Sequence, residues 1–489
     1  MNYLVALAAG AILPLSLEPF GWWPLGLVSV GVLFYLLRSC PAKAGWLGWL
    51  FGVGKYGVGV SWVYVSIHVY GNASPALAGG LVVLFVAGLG LFSMAMAVAY
   101  RWLRNDAPML DAMVFVCVFV GFEWLLTWVL TGFPWLYPGY AHLATPLAGF
   151  APLGGVLLVS LALTTSACFA VLAVGARRIG DRRWGRPALI AVVPWLIGWP
   201  LSQQTWVTPD ATRQVALVQG NVDQAVKWLP ENRGRIIDTY ARLTEPHWGV
   251  DAIVWPEAAI TIMEHQAQSV LASLQQRGAA AGTALVLGLP ALERVPPDRV
   301  VFRNTATVVG AGSGRYVKRR LVPFGEYVPL EQWLRGTIEF FDLPMSRAEP
   351  GAWRQPLLRV GEDLASMGIC YEVVYPGLMR APAADVLLTI SNDSWFGSSI
   401  GPPQHLQMAQ MRALENGRWL LRATNNGITA IVDHRGRVAA RLPQFEEGVL
   451  VGEYRVMRGS TPYAGWGEGP ALGLLALGLG FGAWRRYMR

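Results

Sequence analysis

The sequence is poor in charge. Only 14% of its 489 residues are Asp, Glu, Lys or Arg, while 54% are hydrophobic; soluble chains carry about 25% charged residues. This excludes a disordered protein, which needs low hydrophobicity and high net charge, and it argues against an ordinary cytosolic enzyme. Cysteine is also scarce. Of four cysteines, Cys40, Cys117 and Cys168 lie in or beside apolar stretches, which leaves Cys370 alone in the polar part. Histidines with metal-ligand spacing are missing: His247, His265, His405 and His434 are scattered, a pattern that points to solvated or capping roles. No internal repeat or low-complexity tract occurs. The net charge of +8 is not gathered into a basic run within residues 203–468, so nucleic acid is not an expected partner.

The few charges are unevenly spread. Residues 1–200 hold 10 Lys/Arg and 5 Asp/Glu, and the other 289 residues hold 55 of the 70 charged side chains. The first part therefore reads as membrane and the second as a soluble domain. Spanning a bilayer takes roughly 20 apolar residues of helix. Seven candidate spans precede residue 202, at about 3–19, 22–37, 45–67, 75–100, 109–131, 150–175 and 187–201, and an eighth covers about 469–484. The first two are short and separated by Glu18-Pro19, so a re-entrant hairpin is an alternative; a removed signal peptide fits poorly, because no basic segment precedes the first stretch.

Basic residues follow every even-numbered span: Arg38 and Lys43, then Arg101 and Arg104, then Arg177 to Arg186, then Arg485, Arg486 and Arg489. Positively charged loops stay in the cytoplasm. Both termini are then cytoplasmic, and residues 203–468 lie on the opposite side. Lys55 and Glu123 are charges inside spans; they either pair with one another or contact water and backbone separately.

In the polar part, 213–221, 251–255, 284–289, 304–309, 364–370 and 385–391 read as strands, and 419–424 and 428–432 as a pair around Asn425-Asn426-Gly427. Helical patterns intervene at 231–245, 265–281 and 404–416, so the domain is α/β and layered. The glycine-rich turn Gly310–Gly314 does not match a phosphate loop and is expected to join two strands. The apolar run 330–345 reads either as a surface arm dipping into lipid or as core.

Three strand or segment ends carry chemistry. Leu364–Cys370 ends in a thiol followed by Tyr371 and Glu372; Asp251–Trp255 runs into Pro256-Glu257; Tyr316–Pro329 carries Lys318 and Glu326. Strand ends are where open α/β sheets present functional groups. A carboxylate can serve as base for a thiol that has no histidine, and an ammonium favours thiolate and can hold an oxyanion. Taken alone, Cys370 reads as a buried inert cysteine sooner than as a reactive one.

The motifs Trp255-Pro256-Glu257, Lys318 before Leu321-Val-Pro-Phe-Gly-Glu326, and Gly368-Ile-Cys370-Tyr-Glu372 resemble the nitrilase (carbon–nitrogen hydrolase) superfamily. With its apolar spans, the whole chain resembles the membrane branch of that superfamily, the apolipoprotein N-acyltransferase family. Val218–Asn221, Lys227-Trp228 and Ser391–Gly397 match the same branch.

The resemblance implies a polytopic helical membrane domain (1–202 and 469–489) with an extracytoplasmic nitrilase-like α-β-β-α sandwich at 203–468. It implies the bacterial inner membrane, with the catalytic domain periplasmic. Cys370 is the implied nucleophile, Glu257 the general base, and Lys318 the oxyanion stabiliser. Glu326 orients Lys318, assists proton transfer, or is a structural ion-pair partner. Tyr371 and Glu372 shape the nucleophile turn. Trp228, Trp395 and Phe396 belong to substrate loops; Trp228 could equally be a buried anchor, and Trp395 a membrane-interface ring. The implied donor is a membrane phospholipid and the implied acceptor the N-terminal amine of a diacylglyceryl-modified apolipoprotein, joined through a thioester. No metal or organic cofactor is needed. An anchored amidase acting on a small C–N compound shares the triad and is the alternative.

Overall fold

The computed structural model describes residues 1–328, 331 and 347–487. The run 330–345, read above as arm or core, lies outside the described residues apart from Glu331, as does Arg489. The chain forms two compact units: residues 1–63, 76–206 and 461–489, and residues 64–75 with 207–460.

The first unit is helical. Its main helices are α1 (Asn2–Ile12), α2 (Pro24–Ser39), α3 (Ala44–Gly59), α4 (Pro75–Leu103), α5 (Pro108–Leu125), α6 (Ala151–Arg178) and α7 (Gly185–Gln203), with Gly469–Tyr487 closing the chain. Among the described residues, three are long and apolar enough to cross a membrane: α4, α5 and the run Pro146–Arg178 that contains α6. The α2–α3 pair passes the same test as one broken element, bent by 109°. Proline explains the break, since Pro41 cannot donate a backbone hydrogen bond and restricts Cys40 before it. The structure thus supports three to four crossings by length and composition, a coarser statement than eight. The stretch read as 45–67 is also shorter than expected, because α3 stops at Gly59 and the segment from Tyr64 joins the second unit.

Helices α1 and α3 approach so closely that a Cβ on Gly10 would lie 1.9 Å from the Phe51 carbonyl oxygen, and one on Gly54 2.1 Å from that of Leu7. Small residues allow such backbone contact where the hydrophobic effect cannot drive helices together. Lys55 and Glu123 are both buried, yet no ion pair within 4 Å joins them among the described residues. The ion pair found nearer the helix ends is Arg38–Asp111, at 2.9 Å.

The second unit holds two sheets. One has the order β13-β1-β2-β3-β4-β6 and the other β12-β11-β10-β9-β8-β7-β5. The strands are β1 (Val207–Gln219), β2 (Ala252–Val254), β3 (Ala284–Val295), β4 (Arg299–Gly310), β5 (Gly312–Ser313), β6 (Arg315–Val317), β7 (Leu358–Val360), β8 (Asp363–Ile369), β9 (Val386–Ser391), β10 (Leu420–Thr424), β11 (Ala430–Val432), β12 (Val438–Arg441) and β13 (Gly448–Gly459). Each sheet has a parallel centre, β1-β2-β3 in one and β8-β9-β10 in the other, flanked by antiparallel strands. The central strands β2 and β9 are buried along their whole length, which is why they read as unbroken apolar runs.

Val215, Leu217, Val254, Met367, Ile390 and Leu421 fill the space between the sheets. Helices α8 (Arg233–Thr244) and α9 (Gln268–Ala281) supply Ile236, Tyr240 and Leu274 to the outer core of the first sheet. The largely buried helix α10 (Gly401–Asn416) packs against β10 of the second. The layering is therefore α-β-β-α. As expected, Gly310–Gly314 joins antiparallel strands, with Thr307 opposite Arg315. It also sends Gly312 and Ser313 across to pair with β7 of the other sheet.

Candidate active site

Parallel strands end at one edge, so their C-terminal ends gather polar groups. Glu257 follows β2, Lys318 follows β6, Cys370 follows β8, Asn392 follows β9 and Asn425 follows β10. The two sheets meet at these ends: Asn221 N–H donates to the Asn425 carbonyl at 2.7 Å, and Asn392 N–H donates to Glu257 Oε2 at 2.9 Å.

Lys318 is nearly inaccessible and lies between two carboxylates. Its Nζ donates to Glu326 Oε1 at 2.9 Å and to Glu257 Oε1 at 3.2 Å. Asn304, on β4, spans the same pair, donating from Nδ2 to Glu257 Oε1 at 2.7 Å and Glu326 Oε1 at 2.9 Å. Glu326 is fixed through its other oxygen by the Val322 N–H at 2.8 Å.

Burial alone would raise the Glu257 pKa. The Lys318 charge, the Asn304 and Lys318 hydrogen bonds and Lys227 outweigh it and hold the carboxyl below its usual range. Burial also works against the Lys318 ammonium, but Glu257 and Glu326 outweigh it and keep that ammonium charged well beyond its usual range. Buried polar groups need partners, and here each charge has them.

Cys370 is also buried. Burial, and then the Glu257 charge, push its thiol well up, with Lys318 opposing. At rest the sulfur therefore carries its proton, and an ionised carboxylate stands within electrostatic range to take it. Cys370 adopts φ 52°, a left-handed conformation that costs a non-glycine residue about 1–2 kcal/mol and that tends to occur at functional turns. Glu372 clamps this turn. Its Oε2 accepts from Ile369 N–H at 2.8 Å and Tyr316 O–H at 2.9 Å, and its Oε1 from the N–H groups of Arg319 at 2.7 Å and Arg320 at 3.0 Å. Glu372 thus ties the Cys370 turn to the segment that carries Lys318. Tyr371 packs edge-on against Tyr375.

Glu257 has its own support. Ala258 after it is left-handed at φ 48°, and Gly288 lies directly beneath. A Cβ on Gly288 would sit 2.7 Å from Ala258 N and 2.9 Å from Glu257 Cα. Lys227, fully buried, donates from Nζ to the Glu257 carbonyl at 3.1 Å. Burial pulls its ammonium down to about 8 against the opposing effect of Glu257. Trp228, next in sequence, is half-buried, and its indole N–H has no hydrogen-bond partner among the described residues.

Trp395 is also half-buried. Its carbonyl accepts from Ser66 Oγ at 2.7 Å and its ring meets Tyr70 edge-on, so residues 64–75 tie down this loop. Phe396 is buried against His405.

The fold therefore brings Glu257, Lys318, Glu326, Cys370 and Glu372 into one network, with Trp228 adjoining Glu257 through Lys227. Trp395 and Phe396 lie on the loop after Asn392. Sequence reasoning missed Asn304 and the backbone N–H of Asn392. An asparagine in a strand is unusual, and that was the available signal for Asn304. It also expected His405 to be solvated or capping, whereas His405 is fully buried.

Known proteins resemble this chain along nearly its whole length. Residues 214–463 match the carbon–nitrogen hydrolase family model, and residues 9–169 match that of the apolipoprotein N-acyltransferase N-terminal domain. An apolipoprotein N-acyltransferase of Azotobacter vinelandii is 48% identical over 99% of this chain and 95% of its own length. Those of Pseudomonas aeruginosa (strain LESB58) and Vibrio cholerae are 46% and 40% identical, covering 97% and 99% of this chain and 94% and 97% of their own lengths. The chain belongs to the apolipoprotein N-acyltransferase family.

Proposed function

We propose that this protein moves a fatty acyl chain from a membrane phospholipid to the N-terminal amine of a diacylglyceryl-modified cysteine on apolipoproteins, through a thioester on Cys370. Glu257 takes the thiol proton as Sγ attacks the ester carbonyl. Lys318 Nζ, with backbone N–H groups, holds the developing oxyanion. As the tetrahedral intermediate collapses, Glu257 returns the proton to the departing alkoxide and lysophospholipid leaves. In the second half the acceptor amine attacks the thioester, Glu257 accepts a proton from the nitrogen, and the thiolate leaves and is reprotonated. The products are an amide and the free thiol.

The observation that carries this reading is the buried Glu257–Lys318 pair at 3.2 Å, whose charges both act on the Cys370 thiol. Glu326 and Asn304 orient Lys318 and Glu257, while Tyr371 and Glu372 shape the nucleophile turn. Trp228, Trp395 and Phe396 line the approach of the lipid substrates. A membrane setting suits two lipid substrates, because withdrawing an acyl chain into water costs about 0.8 kcal/mol per CH₂. The reading extends to topology: eight spans in the bacterial inner membrane within 1–202 and 469–489, both termini cytoplasmic, and residues 203–468 periplasmic. Its support is the basic loop after each even-numbered apolar stretch.

The test is intact-mass and peptide analysis of the full-length protein in detergent, given phospholipid and no acceptor. An acyl adduct on the Cys370 peptide, absent in Cys370→Ser, is expected. Failure of any adduct to form, or full transfer activity in Cys370→Ser, overturns the proposal.

A further inference from the structure

The left-handed conformation of Cys370 (φ 52°) needs surroundings that impose it, and two side chains hold the backbone before and after it. Before the turn, Glu372 Oε2 holds the Ile369 N–H. After it, the Cys370 carbonyl oxygen lies 3.1 Å from His405 Nε2. A carbonyl only accepts, so this nitrogen bears the proton and donates.

His405 is fully buried on α10 and is itself held by a chain of polar groups. Its Nδ1 lies 3.0 Å from Arg422 Nη2 and 3.2 Å from Asp393 Oδ1. Arg422 donates to Asp393 Oδ2 at 2.6 Å, and Ser391 Oγ donates to Asp393 Oδ1 at 2.6 Å. The ring meets Phe396 edge-on, with centroids 5.8 Å apart. Asp393 follows directly on Asn392, whose N–H holds Glu257 Oε2. One short loop after β9 thus fixes the base through its backbone and the nucleophile through His405.

We infer that His405 is a positioning residue for acyl transfer: its Nε2–H fixes the Cys370 carbonyl, and with it the direction of the sulfur toward Glu257 and Lys318. It rests on the acyl-transfer reading above and goes beyond it, since His405 touches neither the sulfur nor a reacting atom in that scheme. Losing the donor should slow chemistry without weakening lipid binding, because the backbone relaxes away from the conformation that aims the thiol.

The experiment uses the full-length protein in detergent with phospholipid alone, comparing the parent with His405→Phe, which keeps a buried ring and removes the donor, and His405→Gln, which restores an N–H near the Nε2 position. The readouts are the saturating rate of Cys370 acylation, the half-saturating phospholipid concentration and the rate of Cys370 alkylation by iodoacetamide. His405→Phe is expected to lower the saturating acylation rate at least ~30-fold with half-saturation within about twofold of the parent, while His405→Gln recovers to within about fivefold. Parental rates in His405→Phe, or equal losses in both variants, overturn the inference. Alkylation separates the two claims. If the parent takes no acyl group, the acyl-transfer reading fails, and the inference then stands or falls on whether His405→Phe alone alkylates about tenfold more slowly.

Discussion

Lys318→Met tests the electrostatic reasoning most directly. In the parent, the ammonium sits 2.9 Å from Glu326 and 3.2 Å from Glu257. At an effective dielectric of about 20, each attraction is on the order of 5 kcal/mol, set against several kcal/mol of desolvation for each buried ion. Methionine keeps most of the volume and leaves two buried carboxylates facing one another without the cation that bridges them. Breaking a buried pair in this way costs about 3–5 kcal/mol, which for a domain of this size corresponds to roughly 6–20 °C in Tm.

The pH dependence has a definite sign. Without the cation, burial disfavours the ionised Glu257 carboxyl, so the variant is penalised most where two like charges must sit side by side, near neutral pH and above. The deficit shrinks as pH falls and a carboxyl takes up a proton. Glu326→Gln added to Lys318→Met removes one of the two uncompensated charges and should recover part of the loss. The assay is thermal unfolding of the full-length protein in detergent, followed by intrinsic tryptophan fluorescence at pH 5 and pH 8. A single variant within 2 °C of the parent at pH 8, a deficit that grows toward pH 5, or a double variant no better than the single would each refute the argument.

Glu257 is held below the usual carboxylate range, so it contributes stability and activity above that range and loses both as pH falls through its own lower value; initial rates of Cys370 acylation should therefore persist below about pH 4.3, the ordinary glutamate value. Gly288→Ala should displace the Glu257 backbone and cut the acylation rate by about 100-fold while the circular dichroism spectrum is unchanged. Asn304→Leu removes the amide shared by both carboxylates and should cost about 2–4 kcal/mol of stability, read from the same thermal assay, with Asn304→Asp worse at pH 8 than at pH 5.

What the sequence disclosed followed from one-dimensional signals. β2, β8 and β9 are apolar runs broken by polar residues at their C-terminal ends, and both layering and strand ends could be read from them. β13 was missed because its exposed face carries Glu453, Arg455 and Arg458 and alternates with buried Tyr454, Val456 and Met457; it is legible as a strand only once paired with β1. The extension of β3 and β4 past residue 290 was hidden for the same reason, since Glu293, Arg294 and Arg299 look like loop. His405 could not be placed from sequence. Its helix, α10, is buried even at Gln404, Gln407, Arg412 and Glu415, so polarity there marks an internal network and not a solvent face. Helix lengths in the first unit depend on prolines and glycines whose bends hydropathy cannot see, as at Cys40-Pro41.

The three hydrogen bonds that Glu257 accepts through its side chain carry one more implication. Lys318 and Asn304 occupy Oε1 and the Asn392 N–H occupies Oε2, so this carboxylate is a poor reservoir for hydrogen ions. In the proposed cycle, a proton taken up by Glu257 would pass quickly to the departing alkoxide. The acylated intermediate would then wait with its base already discharged, and the second half of that cycle could begin without any exchange with bulk water.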